Sequence, residues 1–540
     1  MTSEVFVHPV LGTLVGVPRG DNIIQFRGIP YADIPARFRQ SILRSQLPEE
    51  PFDARQPGPI CPQTTTLPFP QYWSGPLPSD GVKLDEPKAD EFHCLNLNLT
   101  IPRVALIGDQ KVPVLFYIHG GGFMVGSSSA QISGREVWDA TNLVRRSLAI
   151  GKPIIVVSIN YRHGPLGFLA SRELTEFNRQ HREAVGNYGL HDQRIALEWV
   201  SMFIADFGGD ADNVTIDGGS AGAVSCHFQS RFPNRKFKRA MLFSGTYLAL
   251  AAMPLDWHQR IFDSFAQKFA AAGNPLECLQ KVPSDVLTHD VVSVWYTPFV
   301  DGEWIPGRTL AELRDTKDSP ELLVGSCSFE QDLTLSILSP PPTLSPKDAD
   351  ELMRKTIISV LSTLGLTAQP DPLLAPEILE LYGLSDSVDN PTKQFSSWAQ
   401  FVAELIFKIP QYHVALNHTG SNIYVYEFQA TSPFPGWELG YGKAGHAINE
   451  VLQYNSGGDL VDEKHQPEFN GAVQELQDRV VGFCHGELGW EPFDKDNKER
   501  LGPIYTFTNH GRGRKYDSIG DVVGPDALKR WKAILAVSEK

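Results

Sequence analysis

Residues 207–222 read Phe-Gly-Gly-Asp-Ala-Asp-Asn-Val-Thr-Ile-Asp-Gly-Gly-Ser-Ala-Gly. The run Asn213–Asp217 has the β-branched character of a buried strand, and it stops at a glycine pair. Gly218-Gly219-Ser220-Ala221-Gly222 then forms a Gly-x-Ser-x-Gly pentapeptide, and the residues that follow, Ala-Val-Ser-Cys-His-Phe-Gln, can continue a helix. A sharp strand-to-helix turn holds a serine hydroxyl clear of the main chain and beside a base. The serine needs both, because an isolated hydroxyl is a poor nucleophile. The flanking glycines are required because side chains two residues either side would clash at such a turn. Alone, the pentapeptide also fits a plain glycine-rich turn, so its reading depends on its surroundings.

The surroundings repeat one pattern. Val112–Ile118, Pro153–Asn160 and Arg239–Ser244 are further short apolar runs, and Asn422–Phe428 is another near the end of the chain. Between them lie segments with helical spacing. In 189–206, Leu190, Ile195, Leu197, Val200, Phe203 and Ile204 share one face. Continuous apolar strands alternating with helices predict a mostly parallel sheet covered on both faces. Residues 1–35 instead alternate short strand-like runs with Gly and Pro and predict small antiparallel strands. Residues 62–92 read as a long loop, and 468–490 and 525–538 as helices. Residues 340–420 are expected to be a largely helical insertion roofing the site. Length alone suggests about three or four domains, but residues 1–540 are read as one α/β domain because the motifs spread along the chain belong to one fold.

Composition narrows the function. The chain has 540 residues, 42% hydrophobic, with a formal net charge of −15. An acidic surface without a Lys/Arg-rich run repels nucleic acid and anionic lipid, so a small neutral or weakly polar substrate is expected. No stretch of the sequence is long and apolar enough for a transmembrane helix. The first residues lack the apolar core of a secretory signal, which favours the cytoplasm. Six cysteines are too few for a disulfide scaffold. With no His-Glu-x-x-His, Cys/His cluster or dinucleotide glycine motif, no metal or organic cofactor is expected.

A second glycine motif completes the picture. His119-Gly120-Gly121-Gly122-Phe123 follows the apolar run Val112–Ile118. Three glycines let a backbone approach a substrate closely and aim N–H groups at one point, as a tetrahedral oxyanion requires. A phosphate-binding turn fits less well, because no Gly-Lys-Ser/Thr follows. With these motifs in hand, the sequence resembles the type-B carboxylesterases and lipases of the α/β-hydrolase superfamily, which include cholinesterases and fungal lipases. Residues 207–222 resemble the family's serine signature nearly position for position. Phe26–Ala32, Asn160–Leu169 and Gly186–Arg194 resemble three more of its motifs, and Glu91–Asn98 is a degraded match to its second signature. The likeness runs in the family's order from about residue 5 to about 535.

The resemblance implies an α/β-hydrolase fold and a catalytic triad of Ser220, Glu330 and His446. Residues 322–332 resemble the segment that carries the family's acid, with Phe329 and Gln331 departing from its usual acid and glycine. Asp332 competes with Glu330 for that role. Gly442-Lys-Ala-Gly-His446 resembles the loop of the family's histidine, and the chain order Ser, acid, His is that of α/β-hydrolases. The backbone N–H groups of Gly121, Gly122 and Ala221 would form the oxyanion hole. Cys61 and Cys94 match the family's first disulfide and are either bonded or reduced. Gly219 stands where the family often has Glu, which argues against choline esters. Gly219 and Phe123 are candidates to line the substrate pocket. Trp295, Phe299, Trp398, Phe407 and Trp437 could also line it or simply pack the core.

The expected reaction is hydrolysis of a small-molecule carboxylic ester through an acyl-enzyme. The same triad could instead pass the acyl group to an alcohol, as a transferase, lactonase or cyclase. A third reading is a non-catalytic, cholinesterase-like interaction protein, although such relatives typically lose a triad residue.

Overall fold

Val112–Ile118 and Ile155–Ile159 are buried at every position, so both faces of the sheet that contains them are covered, as their unbroken apolar runs require. The computed structural model of the chain describes residues 3–538 apart from 21, 65–86, 133, 271–272, 290–295, 308–316, 339–375, 385–390, 436–439 and 497–500. In the main sheet, seven strands run parallel in the spatial order Ile155–Ile159, Val112–Ile118, Gly209–Gly219, Arg239–Phe243, Glu321–Cys327, Ile423–Phe428 and Ile504–Phe507. Antiparallel strands extend both margins. Asn96–Pro102, Ile23–Pro30, Gly12–Pro18 and Glu4–His8 continue one side, and Arg514–Tyr516 closes the other.

Two groups of helices lie against this sheet. Gly164–Phe168, Tyr188–Phe203 and Ala221–Ser230 form one, and Thr141–Ala149, Ile448–Tyr454 and Gln466–Cys484 the other. The helix expected over 189–206 begins at Tyr188, after Asn187 in the left-handed region, and ends at Phe203. Of the expected insertion at 340–420, residues 340–375 and 385–390 fall outside the described part. The remainder is helical in Pro376–Leu381, Pro391–Ala403 and Ile409–Asn417, the last two joined by a π-helical turn at Glu404–Lys408. Most of the loop expected at 62–92 also falls outside.

The matched motifs at 160–169 and 186–194 are joined by one buried ion pair. Arg162 donates to both carboxylate oxygens of Asp192 at 2.8 Å, and Ser41 donates to the same group at 2.6 Å. Both charged side chains are essentially inaccessible. Such a pair persists only when its hydrogen bonds are complete. The adjacent Tyr161 hydroxyl donates to the His119 carbonyl at 3.0 Å, fixing the start of the glycine loop.

The register of the parallel strands aligns their carboxyl ends. Gly219 pairs with Phe243, and Phe243 with Gly325. The residues that leave these strands, Ser220, Ser244 and the Cys327–Glu330 turn, therefore emerge side by side. The carboxyl edge of a parallel sheet is where this architecture places its ligands.

Candidate active site

Ser220 sits at the turn between the strand Gly209–Gly219 and the helix Ala221–Ser230, with φ 54° and ψ −123°. A non-glycine residue held there costs about 1–3 kcal/mol and persists only when its neighbours impose it. Here they do. The Ser220 N–H donates to the Phe243 carbonyl at 2.8 Å, tying the turn to the next strand. Gly222 is demanded by closeness, since a β-carbon there would lie 2.1 Å from the Ile118 carbonyl. Ser220 is partly exposed, whereas Glu330 and His446 are buried.

The histidine loop and the acid loop are stitched together by the main chain. The Phe329 N–H donates to the Ala444 carbonyl at 2.9 Å, and the Lys443 ammonium lies 4.1 Å over the Phe329 ring. His446 Nδ1 is 2.6 Å from Glu330 Oε2. The other oxygen, Oε1, accepts from the Ser244 hydroxyl at 2.7 Å and from the Cys327 N–H at 2.8 Å. Asp332, the competing acid, takes a different post. Its two oxygens lie 3.0 and 2.9 Å from the His446 backbone nitrogen and accept from that N–H. A β-carbon at residue 445 would fall 2.1 Å from Asp332 Oδ2, so Gly445 is what lets this clamp close. The Phe407 ring packs 4.7 Å from the imidazole. His446 Nε2 is buried and has no partner among the described residues, and the Ser220 hydroxyl makes no hydrogen bond to it.

The glycine loop lies against the serine. A β-carbon at residue 120 would be 3.3 Å from Ser220 Cβ and 2.8 Å from the Gly219 carbonyl. Gly121 and Gly122 have φ 110° and 63°, open to glycine and strained for other residues. Among the described residues, no acceptor engages the N–H of Gly121, Gly122 or Ala221.

Charge at the site is set by burial and by neighbours. Burial pushes the Glu330 carboxyl up, but His446, Lys408 and the Ser244 hydroxyl together hold it below the ordinary carboxylate value. Burial lowers the His446 imidazole, yet Glu330, Asp332 and Glu450 outweigh it and hold it above 6.5. Burial raises Asp332 to about 7 against the opposing pull of the His446 N–H.

Two sequence expectations change on the structure. Phe123 has no exposed surface and packs on Phe168 with ring centroids 4.5 Å apart, so its ring is sealed into the core rather than facing an open pocket. The space beside Gly219 is not open to substrate either, because the Glu450 carboxylate fills it. Cys61 and Cys94 are buried free thiols with no bond between the sulfurs; Cys61 donates to the Pro62 carbonyl at 3.6 Å and Cys94 to the Glu91 carbonyl at 3.5 Å. Trp295 and Trp437 lie outside the described residues. Trp398 and Phe299 are buried against Phe401 and His258, leaving Phe407 as the candidate that touches the site.

Sequence reasoning missed the polar layer beneath the serine. Tyr117 donates to Glu450 at 2.8 Å, and Gln453 donates through its amide to Asp217 Oδ2. Asp217 Oδ1 and Gln453 Oε1 are both buried without partners among the described residues. Burial raises the Asp217 carboxyl to about 8. A protonated Asp217 can donate, whereas a carboxylate cannot. Because the folded state keeps a proton that the unfolded chain releases near 3.8, Asp217 contributes stability in acid that is lost as pH rises toward about 8. Asparagine mimics the neutral acid. Asp217→Asn is therefore expected to melt with wild type at about pH 4 and several degrees above it at about pH 8.5. Equal melting temperatures at the higher pH would show that Asp217 is ionised without cost.

A mostly parallel sheet carrying a strained serine at a strand's carboxyl end, beside a buried histidine–carboxylate pair, defines an α/β-hydrolase. The Carboxylesterase family model matches residues 4–470, and the chain belongs to that family. Lipase 3 of Yarrowia lipolytica (strain CLIB 122 / E 150) is 30% identical over 88% of this chain and 86% of its own length. Acetylcholinesterase of Danio rerio is 29% identical over 83% of this chain and 68% of its own. Among solved structures, a carboxylesterase of Geobacillus stearothermophilus shares the fold with a TM-score of 0.73, covering 98% of this chain and 99% of its own at 23% identity. The protein is a carboxylic ester hydrolase.

Proposed function

We propose that the protein hydrolyses small neutral carboxylic esters through an acyl-enzyme on Ser220, with His446 as the base and Glu330 as its orienting acid. The observation that carries this is the 2.6 Å contact of His446 Nδ1 with Glu330, while Nε2 is buried with no partner among the described residues. In the first half-reaction, the Ser220 oxygen attacks the ester carbonyl carbon and its proton passes to His446 Nε2. The carbonyl oxygen becomes an oxyanion, which the N–H groups of Gly121, Gly122 and Ala221 would stabilise. Losing one such donor typically costs about 3 kcal/mol of barrier. Collapse breaks the bond to the alcohol, which leaves with the proton from His446. Water then gives its proton to His446 and its oxygen to the acyl carbon. The second collapse returns the proton to Ser220 and frees the acid. Glu330 stays ionised throughout, holding the tautomer and balancing the imidazolium.

Hydrolysis of p-nitrophenyl esters of graded acyl length in ¹⁸O-water tests this reading. One labelled oxygen is expected in each acid released. Ester or lactone products formed in place of labelled acid would overturn hydrolysis in favour of acyl transfer. The rate is expected to rise with pH through the elevated His446 value, above 6.5, because only the neutral imidazole can take the proton.

A further inference from the structure

Gly219 has no side chain, yet the space its side chain would occupy is full. A β-carbon there would lie 1.9 Å from Glu450 Oε2 and 2.1 Å from its carboxyl carbon. Glu450 belongs to the helix Ile448–Tyr454, which starts two residues after His446, and its side chain returns toward the nucleophile turn. There the carboxylate packs against the Gly219 backbone and accepts from the Tyr117 hydroxyl at 2.8 Å. Tyr117 lies on the strand that leads into the glycine loop, and its ring is wedged between Trp138 and Tyr454, with centroids 5.4 and 5.1 Å away. The same helix is tied to the acid strand through Asn449, whose side-chain oxygen accepts from the Cys327 thiol at 3.3 Å. One buried carboxylate therefore touches the serine turn and the strand before the oxyanion glycines, from a helix continuous with the histidine loop.

We propose that Glu450 is a positioning residue of the reaction, holding the Ser220 turn through Gly219 and Tyr117 and stabilising the positive imidazole of His446 alongside Glu330. This rests on the triad reading given above. The groups facing Glu450 are Tyr117 from its strand, Asp217 and the Gly219 N–H from the nucleophile strand, Cys226 from the helix after Ser220, Tyr426 from its strand, Tyr454 from its own helix, and His446. His446 is the one cation among them once it has taken the serine proton, so the carboxylate's charge acts on it. Burial lifts Glu450 to about 7, opposed by the Tyr117 hydroxyl, by His446 and by the Gly219 N–H, so protonation in mild acid withdraws that support.

Glu450→Gln keeps the shape and an acceptor oxygen and removes only the charge. It is expected to lower kcat about tenfold with little change in KM. It should also move the acid limb of the kcat/KM profile down by about one unit, because His446 loses a neighbouring anion. Gly219→Ala drives a methyl group into the same carboxylate and should disturb the same limb. Its effect should largely vanish in a Glu450→Ala background, since coupled neighbours are non-additive. Melting curves of each variant establish that the fold is kept. An unchanged pH profile and kcat for Glu450→Gln, or Gly219→Ala and Glu450→Ala effects that simply multiply, would overturn the proposal while leaving a Ser220-dependent esterase intact. A wild-type protein without Ser220-dependent turnover would overturn the triad reading itself.

Discussion

Ser220→Ala is expected to lower kcat on p-nitrophenyl esters by about 10⁵- to 10⁶-fold, the loss typical when the nucleophile of a serine triad is removed. KM should change little, because the missing hydroxyl contributes to bond making more than to substrate binding. The variant should fold. Its backbone already needs φ 54°, and alanine bears the same strain there as serine does. Glycine does not, so Ser220→Gly should be equally inactive yet melt above Ser220→Ala. The pair separates chemistry from conformation: activity follows the hydroxyl, and stability follows the β-carbon. A fluorophosphonate probe should label wild type at Ser220 and neither variant. Equal residual turnover in wild type and Ser220→Ala would remove the nucleophile assignment.

The parts of this molecule legible in the sequence are those whose physics is local. A parallel strand buried on both faces must read as an unbroken apolar run, and Val112–Ile118 was visible for that reason. The turn at Ser220 was visible because Gly222 has no room for a side chain beside the Ile118 carbonyl. The residues that remained hidden act across long separations. Tyr117 and Glu450 are 333 positions apart, and nothing in an apolar strand or a short helix marks either as half of a pair. Ser244, which donates to Glu330 at 2.7 Å, looked like no more than a strand end. The one available signal was negative: residue 219 carries no side chain, and the space beside Ser220 is filled by Glu450. Phe123 misled for a related reason. Adjacency to Gly121 and Gly122 says where its backbone goes, but with φ 58° the ring packs back onto Phe168.

The division of labour between the two neighbouring acids yields the sharpest contrast. Glu330→Gln should reduce kcat by about 10⁴-fold, because the amide cannot balance the imidazolium and can select the wrong tautomer. The acid limb should also move down, since the neighbour that does most to hold the imidazole above 6.5 is gone and burial then dominates. Asp332→Asn should cost less than about tenfold. Near pH 7 the Asp332 carboxyl, raised to about 7, is already partly neutral, and asparagine keeps an oxygen to accept from the His446 N–H. On the proposed mechanism, Asp332 would fix where the histidine backbone sits, and Glu330 what the imidazole can do. Steady-state kinetics on the two variants, side by side, measures the difference as a ratio above about 10³. If Asp332→Asn lost as much kcat as Glu330→Gln with its melting temperature unchanged, the acid of the triad would have to be reassigned across those two residues.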